Sequence, residues 1–334
     1  MKNATQPDTA SAGGSLEPEY FSETGETLDG VPLSLNRQPA KDLEPWLGRA
    51  MVAFAYDRTG AHATGTLCND ASYLRSAVGV DWTVGTADGP LKIRDQTFLC
   101  GQHSRSWPLE YTGGIKVAGL MFRPGAIRAL WGIHDADLVD RIRPMELAGV
   151  PDRELTGLYN LDLEPGQWLD ALEDWLRNHI AKSGAEPPER LSQAFELQAF
   201  ADPNRPLTEF ADEREVSMRT LQRVVKRDFG LTPKQVMRRA RVLDFAARLC
   251  GVADQEEEDD FILRFFDQAH RIHEFQAFFG MALREFTSNR QGLLTLSLEI
   301  RQARRLELLE RIDPASVRPW MRDPFQPVFN RTEN

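Results

Sequence analysis

Residues 207–230, LTEFADEREVSMRTLQRVVKRDFG, hold a dense set of side chains suited to recognition chemistry. Met218, Leu221, Val224, Val225 and Phe229 recur at helical spacing, and Arg219, Thr220, Gln222, Arg223, Lys226 and Arg227 fill the opposite face. An amphipathic helix of this kind docks its apolar side to a domain and presents guanidinium and amide groups on the other. Arg and Gln make bidentate hydrogen bonds to guanine O6/N7 or adenine N6/N7 in a major groove, and Lys or Arg further along reach phosphates. Ser217 stands where an N-cap is wanted and Gly230 where the helix stops. Leu207, Phe210 and Ala211 mark a short preceding helix, with a polar turn at residues 213–215. Thr232 and Pro233 restart the chain as N-cap and first residue of a third helix, which adds Lys234, Arg238, Arg239 and Arg241. Base contacts are therefore expected from Arg219, Thr220, Gln222 and Arg223. Phosphate contacts are expected from Ser217, Lys226, Arg227, Lys234, Arg238 and Arg239.

Charge along the chain supports this placement. The 334-residue chain has a net charge of −10, which taken alone disfavours a nucleic-acid partner. Residues 205–249 nevertheless hold 11 Lys+Arg against 6 Asp+Glu, whereas residues 1–204 hold 18 against 29. One basic block inside an acidic protein is the electrostatic footprint of a phosphate-backbone binder, although a solvated helical face produces the same count.

The elements that must carry this segment divide the chain. Residues 1–40 are rich in Ser, Thr, Gly, Pro and acids and are expected to form a disordered arm. Residues 41–184 contain short β-type runs at 51–56, 78–84, 96–101, 107–112 and 115–122, separated by turn signals such as Asp88-Gly89-Pro90. This predicts a small antiparallel sheet, sandwich or barrel, closed by an amphipathic helix over 166–182. The Ala185–Pro188 stretch is read as a linker, and periodicity is helical beyond it. A helical domain over 185–290 and a C-terminal helix with an extended tail over 291–334 complete the division. In that last helix, Leu294, Leu298, Arg301, Arg305, Leu308 and Ile312 fall on roughly one face, suited to packing on the domain or to a contact in a homodimer. The fold class is thus α+β, a β-rich N-terminal domain followed by an all-α half.

A family resemblance follows from these residues. Ser217, Arg219, Leu221, Gln222, Arg223, then Gly230, Thr232, Pro233, Arg241 and Ala246–Leu249, resemble the first helix-turn-helix of the AraC/XylS transcriptional regulators. Phe265, Asp267, Gln268, Ala269, His270, Phe275, Phe279, Gly280 and Phe286 resemble that family's second motif. More weakly, residues 117–126 resemble a cupin-like sensor domain. The likeness implies a double helix-turn-helix protein that controls transcription on double-stranded DNA, often gated by a small-molecule effector in the N-terminal domain. It adds Gln268, His270 and His273 as base-contact candidates. The second motif departs from the pattern at Arg264, Arg271, His273, Gln276 and Leu283, and its supporting helix falls in the acidic run at 255–260. The first motif is therefore expected to supply most DNA contacts.

Other chemistry has less support. His270 and His273 stand at i, i+3 without a third metal ligand, and His62 with Cys68 or Cys100 with His103 lack a second matching pair. No nucleophile elbow, Walker loop or dinucleotide fingerprint occurs, so no catalytic residue, metal or cofactor is expected. Trp46, Trp82, Trp107 and Trp131 suit either core packing or the walls of an effector pocket. No stretch is apolar enough to span a membrane, and the N-terminus lacks the apolar core of a secretory signal, so a cytoplasmic protein is expected. The competing function is a protein-interaction module, in which the weakened second motif and the acidic run bind RNA polymerase or an antagonist protein.

Overall fold

The computed structural model describes residues 34–55, 62–113, 115–160, 163–254, 268–288 and 292–321. Ten strands form two antiparallel sheets: β1 (Ser34–Arg37), β2 (Leu47–Ala55), β3 (His62–Leu67), β4 (Tyr73–Ala77), β5 (Asp81–Thr86), β6 (Gly89–Ile93), β7 (Gln96–Cys100), β8 (Trp107–Thr112), β9 (Ile115–Phe122) and β10 (Ile142–Pro144). The six-stranded sheet has the order β1-β2-β9-β4-β7-β10, and the four-stranded sheet β3-β8-β5-β6. Alternation in the strands explains the layering. In β8, Trp107, Leu109 and Tyr111 are buried while Pro108, Glu110 and Thr112 are exposed, so one face of its sheet meets the core.

The six-stranded sheet is buried on both faces. Its inner side packs Tyr73, Phe98, Val117 and Met121 against Trp82, Leu109 and Tyr111 of the smaller sheet. Its outer side packs Leu74, Leu99 and Leu120 beneath α1 (Ala126–Trp131) and α4 (Pro165–Ser183). Two short helices, α2 (Asp135–Leu138) and α3 (Asp152–Thr156), lie between them in the chain. Residues 34–37 of the expected disordered arm form a strand, and residues 1–33 lie outside the described residues. Ser34–Arg37 pairs with β2 from Ser34↔Ala53 to Arg37↔Ala50, because Leu35 can be buried and Asn36 accepts a hydrogen bond from Arg49 Nε.

Beyond Gly184 the regular elements of the described residues are helical: α5 (Arg190–Ala201), α6 (Leu207–Glu213), α7 (Met218–Phe229), α8 (Pro233–Leu249), α9 (Gln268–Phe279), α10 (Leu283–Ser288) and α11 (Gly292–Ile312). The expected linker falls in the non-helical stretch between α4 and α5. The acidic run at 255–260 lies outside the described residues. No helix of the described residues is long and apolar enough to cross a membrane.

The sequence leaves α11 either packing on the domain or making a homodimer contact; in the structure it packs within the chain and joins both halves of the molecule. Leu293, Leu296 and Ile300 belong to the core between the sheets, while Leu294, Leu298 and Leu309 belong to the core of the second helical lobe. Its charged residues are buried as well. Arg301 Nη1 and Arg305 Nη2 donate to Asp244 Oδ1 on α8 at 2.6 and 2.5 Å, and Arg301 Nε lies 3.1 Å from Asp70 Oδ2. Arg304 pairs with Glu196 on α5, which also pairs with Arg123. Buried ions of one sign survive only when paired, so this network fixes the helical half against the β domain.

Candidate nucleic-acid interface

The expected helix-turn-helix forms from local signals. Ser217 has extended backbone angles, and its hydroxyl accepts from the Thr220 amide at 3.1 Å, capping α7. Gly230 ends α7 at φ +67°, where a Cβ would collide with Val139 and the Asp135 carbonyl. Thr232 and Gln235 form a reciprocal capping box that starts α8, with Pro233 in its first turn. Leu221, Val225 and Phe229 bury the back of α7, and Phe195 stacks edge-on to both Phe210 and Phe229.

The front of α7 faces water. Arg219, Gln222, Arg223 and Lys226 are exposed along one stripe and Thr220 is half-buried. Arg219 and Arg223 have no ion-pair partner among the described residues, and neither do the exposed Lys234 and Arg238 on α8. Among the described residues, Lys226 donates only to the Gly230 carbonyl, at 2.6 Å. Other cations of the basic block are engaged: Arg205 and Arg214 with Glu213, and Arg241 with Glu274. The unpaired cations and the amide thus form a patch that can meet phosphates and base edges without first breaking internal salt bridges.

Two expected phosphate contacts are corrected. Arg239 is 5% exposed and points into the protein, donating to the carbonyls of His103 and Asp70 and to Gln102 Oε1. Burial pushes its pKa down, with the Asp70 charge opposing. Its place on α8 turns it toward the β3–β4 and β7–β8 loops, contacts separated by more than 130 residues that local pattern does not reveal. Arg227 is half-buried and donates to Asp228 at 2.7 and 2.6 Å and to Glu189 at 2.5 Å, which raises its pKa. Arg239 ties α8 to the β domain, and Arg227 is engaged within the helical half. Ser217 is exposed, with its hydroxyl spent on the cap.

The second motif forms in part. On α9, Phe275, Phe278 and Phe279 are buried with Phe286 of α10, and His273 is exposed. The side chains of Gln268 and His270 lie outside the described residues. The end of α9 is tied to the β domain, where Ser106 donates its amide to the Phe278 carbonyl at 2.8 Å and its hydroxyl to that of Phe279 at 3.3 Å.

The base of α7 is likewise fixed to the β domain. Asp228 is fully buried and accepts from Arg128 at 3.0 Å and Ser192 at 2.5 Å. Burial alone would raise its pKa, but the hydrogen bonds from Arg227, Ser192 and Arg128 outweigh that and lower it. Among the described residues, nearby Asp135 has only Ser72 as a side-chain donor, at 2.6 Å, and its Oδ2 is buried without a partner. Burial, with the Asp228 charge adding to it, pushes the Asp135 pKa up to about 7. A native carboxyl that keeps its proton while the unfolded chain loses it makes stability fall as pH rises from about 4 to about 7. Asp135→Asn should remove that loss, leaving the variant level with the parent at pH 4 and more stable at pH 8 by on the order of 2–4 kcal/mol. Urea midpoints across that range check the sign; an Asn variant less stable at pH 8 would contradict it.

Of the residues weighed for other chemistry, Cys68, Cys100 and His103 are buried and His62 is exposed. Cys100 Sγ lies 4.0 Å from His103 Nε2, Asn69 Nδ2 contacts both, and burial pushes the thiol pKa up and the imidazole pKa down. Trp46 and Trp107 are buried in the cores and Trp131 packs edge-on to Phe122, whereas Trp82 lines a cleft between the sheets. Sequence reading missed one residue of that cleft. Arg75 stands on the inner face of β4, and the run Tyr73-Leu74-Arg75-Ser76-Ala77 signals it by placing a cation in phase with core positions.

Residues 37–144 match a family model described only as a domain of unknown function, DUF6597. No protein of curated function matches the chain. Among solved structures, the chain is similar to apo ToxT from Vibrio cholerae strain SCE256, with 9% identity and a TM-score of 0.42 over 75% of this chain and 99% of that one. It is similar to ToxT of the same strain bound to an unsaturated fatty acid, with 10% identity and a TM-score of 0.40 over 70% and 96%. It also resembles the AraC-like transcriptional activator CuxR, with 14% identity and a TM-score of 0.24 over 65% and 88%. At such identities and scores, the function of this chain rests on its own residues.

Proposed function

We propose that the chain is a sequence-specific DNA-binding transcriptional regulator that reads a duplex mainly through α7, with the β-sandwich as its regulatory domain. One observation carries this reading: a capped helix, seated by its apolar back, holds Arg219, Gln222 and Arg223 exposed, with both arginines unpaired among the described residues. Arg219, Thr220, Gln222 and Arg223 address base edges. Lys226, Lys234 and Arg238 address phosphates, and Arg227 and Arg239 leave that set. His273, with Gln268 and His270, stays a subsidiary base contact.

Selection of bound duplexes from a random pool by the full chain should enrich one motif, and a pool that stays random would refute the reading. On the enriched duplex, affinity should fall with salt, and Lys234→Ala or Arg238→Ala should each lower the log–log slope by about one while leaving the preferred sequence unchanged.

A further inference from the structure

Two glycines bring the β domain against the base of α7. Gly230 lies so close to the Asp135 carbonyl that no side chain fits between them, and a Cβ on Gly125, at the start of α1, would stand 3.0 Å from the Asp228 carboxylate. The start of α1 and the whole of α2 thus rest on the last turn of α7, and the seam encloses two carboxyl groups. Asp228 of α7 is well served: Arg128 of α1 reaches it across the seam at 3.0 Å, and Ser192 of α5 and Arg227 donate from the helical half. Asp135 of α2 receives the Ser72 hydroxyl at Oδ1, and its Oδ2 is enclosed with no donor among the described residues. The charges that face it are the Asp228 carboxylate and the Arg128 guanidinium, which is spent on Asp228. On its own short helix His134 and Asp137 are exposed, and Lys226 of α7 gives its ammonium to the Gly230 carbonyl. An ionised Asp135 would therefore meet a like charge with one hydrogen bond and no cation of its own, so the closed seam demands a proton on Oδ2.

We propose that this seam is a proton-dependent latch: protonated Asp135 lets α2 close on the base of α7, and its ionisation weakens that closure without unfolding either domain. In both states α7 keeps its seat in the helical half, where Leu221, Val225 and Phe229 are buried with Phe195 and Phe210. What changes is the hold of the β domain on its last turn. Burial pushes the Asp135 pKa in the closed form up to about 7, with the Ser72 hydrogen bond opposing and the Asp228 charge adding. In the open form water solvates the same carboxyl, which then titrates in the ordinary range. Closure is therefore strongest at low pH, weakens by about tenfold between pH 6 and pH 8, and levels off above that. That the latched helix reads DNA rests on the regulator reading above; the latch itself does not.

Hydrogen exchange of the full chain, corrected for the intrinsic pH dependence of amide exchange, reads the opening. Protection of α2 and the last turn of α7 should lie at least tenfold below that of β4 and change little in 1 M urea, the mark of an opening smaller than global unfolding. It should fall about tenfold from pH 6 to pH 8 in the parent and less than twofold in Asp135→Asn. Ser72→Ala removes the hydrogen bond that favours the ionised carboxyl, so the fall should continue to higher pH before levelling off. Protection that matches β4 in size and urea dependence would overturn the latch. A pH dependence that survives Asp135→Asn, or a Ser72→Ala profile that stays in place or moves to lower pH, would overturn Asp135 as its proton site. Ser72→Ala keeps the test decisive if the Asn variant does not fold. No arm uses DNA, so a latch in a chain without any preferred duplex would leave this proposal standing and remove the regulator reading.

Discussion

Arg223→Ala should cost roughly 10–100-fold in affinity for the enriched duplex, the worth of a bidentate base contact at 1–3 kcal/mol. His273→Ala should cost less than threefold. Arg223 is exposed and makes no internal ion pair among the described residues, so its removal should leave thermal stability within about 0.5 kcal/mol of the parent. A loss of binding could then not be ascribed to unfolding. The asymmetry follows from where the cations stand. Arg219, Arg223, Lys226, Lys234 and Arg238 cluster on α7 and α8, whereas the exposed described residues of α9, His273, Gln276 and Ala277, include no Lys or Arg. The end of α9 is also tied to the β domain through Ser106, which restricts its approach to a groove. Anisotropy titrations at one salt concentration decide the matter, and equal losses for Arg223→Ala and His273→Ala would refute the division of labour.

The parts legible from sequence are those set by neighbours a few residues apart. The Ser217 cap, the Gly230 stop, the Thr232–Gln235 box and the buried stripe of α7 depend on local hydrogen bonds and on a period of 3.6. Strands β2, β5, β7, β8 and β9 were visible for a similar reason, since β8 alternates cleanly, whereas β3, β4 and β6 fall outside the β-type runs read from the sequence. Strands β1 and β10, four and three residues long, carry too few positions for alternation to register. The misread arginines share another cause. Arg238 and Arg239 are adjacent on α8, yet one is exposed and the other meets Asp70, Gln102 and His103 of the β domain. Charge type says nothing about which face of a helix will find acceptors from distant sequence. In α11 a usable signal was present: Arg301 and Arg305 share a face with Leu294, Leu298 and Leu308, and arginines in phase with leucines demand buried acids. Asp70 and Asp244 meet that demand, and nothing in their local sequence marks them for it.

Removing one of those acids should produce the largest stability loss. Asp244 is 2% exposed and accepts from both Arg301 and Arg305, which are themselves 3% and 0% exposed. Asp244→Ala leaves Arg305 without a carboxylate among the described residues and Arg301 with Asp70 alone, in a site that water does not reach. Breaking a buried ion pair from one side costs about 3–5 kcal/mol, which lowers a melting midpoint by roughly 4–7 °C in a chain of this size. The loss reflects the orphaned charge more than the worth of the pairs, so replacing Asp244 and Arg305 by Leu, which leaves Arg301 with Asp70, should recover much of it. Asp212→Ala, an exposed change in the same half, should shift the midpoint little. Calorimetry of the four proteins tests the argument: an Asp244→Ala variant melting with the parent would show that these arginines are not confined where the structure puts them. Because α11 bridges the sandwich and α8, the same variant should also weaken protection of both halves against hydrogen exchange. A loss confined to the helical half would mean that the two domains are coupled through other contacts.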